Sequence, residues 1–268
     1  MDEISSAATF LSRSGGTCAM SGAGVSAESD IDTFRDPGGL WDILDPAEVG
    51  TPEGLMRTLR KKGETLIPVL NRILDSFDRA EPNQGHYSLV RLEEYEILKW
   101  VITQNIDNLH REAGNSNVIE IHGNLFRMKC IRCGHLENHD RHDLIREVRT
   151  RLGAIDILSP ENVLSLAPGC PRCGSPMRPD VVMFSESVQD LPRAYDASRS
   201  CDTMLVLGTS GMVYPAAYLP LEAKKAGAVI IVINPVENAF SAISDIYIPM
   251  NTGEALPAIL KCITDRAV

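Results

Sequence analysis

The sequence predicts an α/β protein built on a doubly wound parallel sheet, with a smaller cysteine-bearing lobe inserted into it. Three observations carry this expectation. Short apolar runs alternate with helical stretches along most of the chain. Two of those runs, Ile97–Ile102 and Val118–Ile121, stop abruptly at Thr103–Asp107 (TQNID) and at His122. Two C-x-x-C pairs interrupt the alternation between residues 126 and 178. Polar groups at the carboxyl ends of parallel strands are where open α/β sheets bind ligands, so a nucleotide-consuming enzyme is the first functional expectation.

The elements follow in order. Ile4–Ser14 has the pattern of a leading helix, and Thr17–Met20 is a short strand that runs into a glycine turn, Ser21–Ala27 (SGAGVSA). Gly22-Ala23-Gly24-Val25-Ser26-Ala27 fits G-x-G-x-x-[GA], in which glycines let the backbone approach a pyrophosphate at a helix N-terminus. The pattern is common by itself. The acid that a dehydrogenase places about 20 residues further on, at the end of a second strand, has no counterpart, because Asp45 and Glu48 lie in a loop-like stretch. Asp36–Gly39 is a loop. Pro52–Phe77 is helical, with Pro68 expected to break or start a helix. His86–Tyr95 has helical spacing. After the two strand-to-loop units, one helix falls near Asp140–Leu152. Strands resume at Val181–Phe184, Met204–Leu207, Val229–Ile233 and Ile246–Ile248, with helices around Ala194–Ser200, Ala216–Ala226 and Glu254–Asp265.

Bulk properties narrow the function. The 268 residues suit one large domain, or one large and one small. With 44% hydrophobic residues the chain can bury a sizeable core. The net charge of −10 argues against direct nucleic-acid binding, which needs a basic face. No apolar run approaches the ~20 residues of a membrane span, and the acidic N-terminus lacks the features of a secretory signal. A cytoplasmic location is therefore expected.

Seven cysteines, four of them in C-x-x-C pairs, suit metal binding in a reducing compartment better than a disulfide framework. Cys130 and Cys133, and Cys170 and Cys173, are each followed by a glycine, Gly134 and Gly174. Four thiolates fill a tetrahedral Zn²⁺ and leave no open position, so the expected role is structural, with one ion per chain. The 36 residues between the pairs (134 to 169) leave room for a helix. Redox dithiols are the alternative, disfavoured because neither pair sits at a thioredoxin-like strand-to-helix turn.

Taken together, SGAGVSAES (21–29), TFRDPGGLW (33–41), TQNIDNLH (103–110), IHGNL (121–125), the four cysteines, RPDVVMF (178–184), GTS (208–210) and INP (233–235) make the chain resemble the sirtuins, NAD-dependent protein deacylases, in their bacterial or archaeal form. The resemblance covers about residues 5–265. It implies a Rossmann-type NAD-binding lobe formed by 1–36, 84–125 and 178–268. It also implies a small lobe made of a helical module, 37–83, and a zinc-binding module, 126–177, with NAD and acyl-lysine entering between the lobes. NAD would be consumed as a co-substrate: the nicotinamide–ribose bond is split and the acyl oxygen of the substrate lysine captures C1′ of the ribose. The products are nicotinamide and O-acyl-ADP-ribose, and the partners are acyl-lysine proteins or peptides, with no membrane partner.

The resemblance also assigns residues. His122 would be the general base for the ribose hydroxyl, a task suited to a group that titrates near neutral pH. Asn105 would share the catalytic role. Asn105, Ile106 and Asp107 would hold the nicotinamide carboxamide and an ordered water, and Gln104 would face the nicotinamide ribose. Gly22, Ala23, Gly24 and Ala27 would cradle the diphosphate, closed over by Gly208, Thr209 and Ser210. Phe34 and Arg35 belong to the cofactor loop, where Arg35 neutralises phosphate and Phe34 shields the reacting carbon from water. Asn234, Pro235 and Val236 would receive the adenosine, with Thr252 near the adenine. Val182, Met183, Phe184 and Ser185 would bind the peptide.

The chain departs from the family pattern in two places. Family members commonly read S-G-I-P before T-F-R, where this chain has Ser29-Asp30-Ile31-Asp32, and V-V-W-F-G-E, where it has Val181-Val182-Met183-Phe184-Ser185-Glu186. Members that prefer succinyl or malonyl groups carry Y-x-x-R in the helix after T-P. The approximately matching stretch here is Leu66-Ile67-Pro68-Val69, so neutral acyl groups, acetyl or longer, are expected. Arg57, Arg60 and Arg72 are the cations that would reverse this. Three other functions compete: protein ADP-ribosyl transfer, plain NAD hydrolysis, and a non-catalytic NAD or ADP-ribose sensor. A zinc-ribbon nucleic-acid module is disfavoured by the charge and by only 5% aromatic residues.

Overall fold

The computed structural model describes residues 2–31 and 49–265. The chain divides into two compact units, one formed by 1–29, 81–122 and 188–268, the other by 30–80 and 123–187.

The first unit is a six-stranded parallel sheet. Its strands are β1 (Thr17–Ser21), β2 (Leu98–Thr103), β3 (Val118–Glu120), β7 (Thr203–Leu207), β8 (Val229–Ile233) and β9 (Ile246–Ile248), in the order β3-β2-β1-β7-β8-β9. Every neighbouring pair is parallel. From β1 the chain builds outward to β2 and β3, then returns to the other side of β1 with β7. The order therefore reverses between β1 and β7, the crevice where open sheets bind ligands.

Period-two alternation splits the strand residues between two cores. Ala19, Val101, Leu205, Leu207, Ile231 and Ile233 face one way, against helices α1 (Glu3–Arg13), α4 (Gln84–Glu94) and α9 (Thr252–Thr264). Met20, Ile102, Met204, Val206, Ile230 and Val232 face the other way, against α7 (Leu191–Ser200) and α8 (Leu219–Lys225). β1 is buried along its whole length, which is why its sequence alternates apolar residues of both faces without a charge. The helices are capped by their sequence. Asp2 accepts from Ser5 N at 2.7 Å to start α1, and Asn83 and His86 form a reciprocal box at the start of α4.

The second unit has its own core around Leu59, Phe77, Phe126, Met128, Leu144, Leu152 and Met177. It contains the long helix α3 (Pro52–Arg79), helix α6 (Arg141–Leu152), and a three-stranded antiparallel sheet in the order β5-β4-β6, made of β4 (Gly123–Cys130), β5 (Leu136–Asn138) and β6 (Met177–Val181).

Two expectations need correction. The break in α3 falls at Lys62 (φ −132°, ψ 19°), not at Pro68, which lies inside the helix. Next to the break, a Cβ on Gly63 would stand 1.9 Å from the Leu158 carbonyl oxygen, so the segment carrying Leu158 packs directly on the backbone there. The strand expected at Val181–Phe184 instead spans Met177–Val181 and pairs with β4 in the antiparallel sheet. Beyond Val181 the chain turns, because Glu186 accepts from Met183 N and pairs with Arg178, and Ser185 adopts φ +74°.

Candidate functional site

The ends of β1, β2 and β7 bring most of the expected residues together. Gly22 N donates to the Leu207 carbonyl (3.0 Å), and Gly24 N donates to the Gly208 carbonyl (2.8 Å). A Cβ on Gly24 would meet Gly208 Cα at 2.8 Å, and one on Gly208 (φ +53°) would meet Val25 N at 2.5 Å. The first glycine turn and the GTS turn are thus in backbone contact, which only glycine permits. Ala23, Ala27 and Ser210 are exposed around this junction, while Thr209 is buried.

Gln104 leaves β2 with its N–H on the Ser21 carbonyl (3.0 Å) and its side-chain amide on Thr209 Oγ1 (3.1 Å). Asn105 Nδ2 donates to the Gly22 carbonyl and to Ser26 Oγ, both at 3.0 Å. Ser26 in turn donates to Asp107 Oδ2 at 2.7 Å, and Asp107 Oδ1 accepts from Leu109 N. The amide hydrogens of Asn105 are therefore directed into the glycine turn. Its orientation is set by a carboxylate two bonds away, and Oδ1 is the remaining acceptor. Ile106 is half-buried and Asp107 buried beside it.

His122 follows β3. Its Nδ1 lies 3.1 Å from the Gln104 carbonyl. A carbonyl only accepts, so the proton sits on Nδ1 and the lone pair on Nε2. Burial pushes the His122 pKa below its ordinary value, and the Gln104 contact offsets this only in part. The imidazole is therefore neutral near pH 7.

Asn234 ends β8, with its amide on the Val236 carbonyl (2.6 Å), and Val236 is exposed. Pro235 is exposed as well. Thr252 is buried and donates to Glu28, which also accepts from Gly253 N (2.9 Å), so this threonine fixes the start of α9. In the second unit, Phe184 N donates to the Gly50 carbonyl (2.7 Å), and Phe184 and Ser185 are exposed next to half-buried Val182 and Met183. Phe34, Arg35, Asp32 and the loop at Asp36–Gly39 lie outside the described residues.

The four cysteines of the second unit converge. Their sulfurs all lie within 4.8 Å of one another, with Cys130 to Cys173 at 3.5 Å and Cys133 to Cys170 at 3.7 Å. Sulfurs about 2.3 Å from one tetrahedral Zn²⁺ stand about 3.8 Å apart, whereas a disulfide needs about 2.05 Å. The set fits zinc. The N–H groups of Arg132 and Cys133 donate to Cys130 Sγ, each at 3.4 Å, which stabilises a thiolate. Gly134 (φ +68°) and Gly174 (φ +71°) close the two knuckles in matching left-handed turns.

Four residues of the first unit had no role in the sequence reading: Ser21, Ser26, Thr103 and His110. All four lie inside motifs legible in the sequence, Ser21 and Ser26 in SGAGVSA and Thr103 and His110 in TQNIDNLH. Only the fold shows that their side chains turn inward to brace the loops.

Comparison with known proteins agrees with this architecture. The Sir2 family model matches residues 22–215. A protein of Desulfosudis oleivorans named NAD-dependent protein deacylase is 54% identical over 258 residues, which is 96% of this chain and 94% of that protein. One of the same name from Pyrococcus abyssi is 42% identical, covering 94% and 95%. Among solved structures, a Sir2 homologue in complex with NAD superposes with a TM-score of 0.79 at 33% identity, covering 100% of this chain and 96% of that one. Sir2Af2 bound to a myristoylated histone peptide superposes at 0.73 and 32% identity, covering 99% and 98%. Among the described residues, no helix is long and apolar enough to cross a membrane. The chain belongs to the Sir2 family.

Proposed function

We propose that the protein removes neutral acyl groups from protein lysines, consuming NAD and yielding nicotinamide and O-acyl-ADP-ribose. The observation that carries this reading is the pairing of a tautomer-fixed His122 with an intact Asn105–Ser26–Asp107 chain on one side of the glycine junction. A chain drifting toward a mere NAD sensor has no need of a neutral, oriented base. Plain hydrolysis or ADP-ribosyl transfer has no need of one either.

NAD supplies an activated ribose carbon when it binds. The residues assigned to it are the glycine junction (Gly22, Ala23, Gly24, Ala27, Gly208, Thr209, Ser210) for the diphosphate, and Gln104 for the nicotinamide ribose. Asn234, Pro235, Val236 and the Thr252 turn are assigned to the adenosine, and Phe34 and Arg35 to the covering loop. Small residues and backbone N–H groups at the reversal of the sheet suit an anion. Asn105, through Oδ1, and the neighbouring Ile106 and Asp107 orient the nicotinamide amide, which both donates and accepts. His122 Nε2 takes the proton from a ribose hydroxyl. Val182–Ser185 are assigned to the acyl-lysine peptide. The cysteine quartet holds a structural zinc that keeps the second unit folded, and thiolate ligands of this kind belong in a reducing cytoplasm.

The neutral-acyl preference is read from the Leu66–Val69 stretch of α3, which offers no cation of its own. Leu66 and Ile67 face the core of the second unit, while Arg57, Arg60 and Arg72 lie on its exposed side. A succinyl carboxylate buried without a cation partner would be strongly disfavoured. The similar structure of Sir2Af2 is bound to a myristoylated histone peptide, which supports a neutral acyl group. The test compares kcat/KM for one peptide carrying acetyl, myristoyl or succinyl lysine. Neutral groups should be favoured over succinyl by about 100-fold or more. A preference for succinyl would overturn the assignment.

A further inference from the structure

Behind the proposed nicotinamide site lies a buried polar cluster that the mechanism does not use. His110, on the short helix Leu109–Ala113, is 2% exposed, and its Nε2 lies 2.8 Å from Ser21 Oγ. Ser21 is fully buried and its hydroxyl donates to Thr103 Oγ1 at 2.9 Å. Thr103 Oγ1 also accepts the backbone N–H of Asn105 at 3.0 Å. Ser21 ends β1 and Thr103 ends β2, so these hydroxyls tie the two strand ends together at the point where both site loops begin. The carbonyl of Ser21 receives the Gln104 N–H, and that of Gly22, the next residue, receives the Asn105 amide.

From these contacts we infer that His110 is a positioning residue: through Ser21 and Thr103 it sets the place of Gln104 and Asn105 in the NAD site. The inference rests on the NAD assignment made above. Ser21 Oγ joins His110 Nε2 to Thr103 Oγ1, the oxygen that holds the Asn105 N–H, so the run His110–Ser21–Thr103 leads to the start of the Asn105 loop. The ring of His86, also fully buried, packs on His110 at 4.8 Å between centroids. Burial first, then the neighbouring His86, push His110 well below its ordinary pKa, with Asn115 opposing. The imidazole therefore acts as a neutral hydrogen-bonding partner of Ser21 and not as a charge. Apolar packing alone would not require an imidazole there, and removing it leaves the Ser21 oxygen in the interior short of a partner.

The test uses the whole protein and three variants: His110→Leu, which keeps bulk and loses the ring nitrogens; His110→Gln, whose amide can donate or accept from a similar reach; and Ser21→Ala. Deacylation is followed with NAD and with acetyl-lysine peptide varied separately, alongside inhibition by nicotinamide and the melting temperature. In His110→Leu and in Ser21→Ala the KM for NAD should rise about tenfold and nicotinamide inhibition should weaken in parallel, while the peptide KM stays within about twofold. His110→Gln should recover most of the loss. A purely structural role would lower kcat with unchanged KM values, in step with melting temperature. Wild-type KM for NAD and wild-type nicotinamide inhibition in both His110→Leu and Ser21→Ala would overturn the inference while leaving the deacylase reading intact. A wild-type protein without NAD-dependent deacylation would instead overturn the deacylase reading, and the positioning role with it. If His110→Leu does not fold, Ser21→Ala and His110→Gln decide the matter.

Discussion

Gly24→Ala tests the glycine junction proposed to hold the NAD diphosphate. The added methyl would stand 2.8 Å from Gly208 Cα and 2.9 Å from Gly208 O. Both are backbone atoms, and Gly208 is itself held in a left-handed turn, so no side chain can swing away. The two turns must separate by several tenths of an ångström, which weakens the 2.8 Å bond from Gly24 N to the Gly208 carbonyl. Overpacking of this kind costs about 2 kcal/mol, or roughly 4 °C in melting temperature for a chain of this size. The effect on ligand is larger, because Thr209 moves with the GTS turn and carries the Gln104 contact. Calorimetric titration with NAD and with ADP-ribose should show affinity for both falling by ten- to a hundredfold, on the order of 1.4–2.8 kcal/mol. A variant that melts a few degrees lower yet binds ADP-ribose as wild type does would refute the diphosphate assignment of this junction.

Three further outcomes are expected. Metal analysis should find one zinc per chain, and chelation or Cys173→Ser should lower the melting temperature by about 10 °C or more; full stability without metal would rule out a structural ion. Ser185→Gly should stabilise the protein by about 0.5 kcal/mol, because Ser185 pays a left-handed φ of +74° that glycine adopts freely, less the extra chain entropy of glycine; a lower melting temperature would show that the serine makes a compensating contact. Stability should also fall on acidification. Burial lowers the His86 pKa to about 4, so the unfolded chain binds the extra proton first. The contribution is fully present above pH 6.5 and is lost as pH drops toward 4, at about 1.4 kcal/mol per pH unit for this group. His86→Gln should flatten that slope, and an unchanged slope would place the acid sensitivity elsewhere.

The parallel sheet was legible because its strands are short apolar runs that end at polar residues, and the alternation of Met20 and Ala19, or Val206 and Leu205, between two cores is written in period two. The cysteine quartet was legible from spacing alone, since C-x-x-C before glycine leaves few geometries. The antiparallel sheet of the second unit was not foreseen. β4 begins at Gly123, immediately after His122, and its charged residues Arg127 and Lys129 face Asp180 of β6, so no clean apolar run announces it. The break in α3 was placed at Pro68 from proline chemistry. The deciding constraint, the close approach of Leu158 to Gly63, spans 95 residues (158 − 63) and has no local trace. At the site, His122, Asn105 and Asp107 stood out because they end strands. His110 and Ser21 did not, because a buried hydroxyl–imidazole contact between residues 89 apart depends on the parallel pairing of β1 and β2.

In the proposed mechanism nicotinamide release and lysine deacylation are one reaction, with His122 as its neutral base. The most direct measurement incubates the protein with NAD and an acetyl-lysine peptide and quantifies nicotinamide, free-lysine peptide and O-acetyl-ADP-ribose by mass in the same samples, for wild type and for His122→Ala. Equal molar amounts of the three products are expected from wild type, with deacylated peptide reduced by about 10²–10⁴-fold in the variant while NAD still binds. Nicotinamide with ADP-ribose and unchanged peptide, or a His122→Ala protein that deacylates at the wild-type rate, would contradict the account.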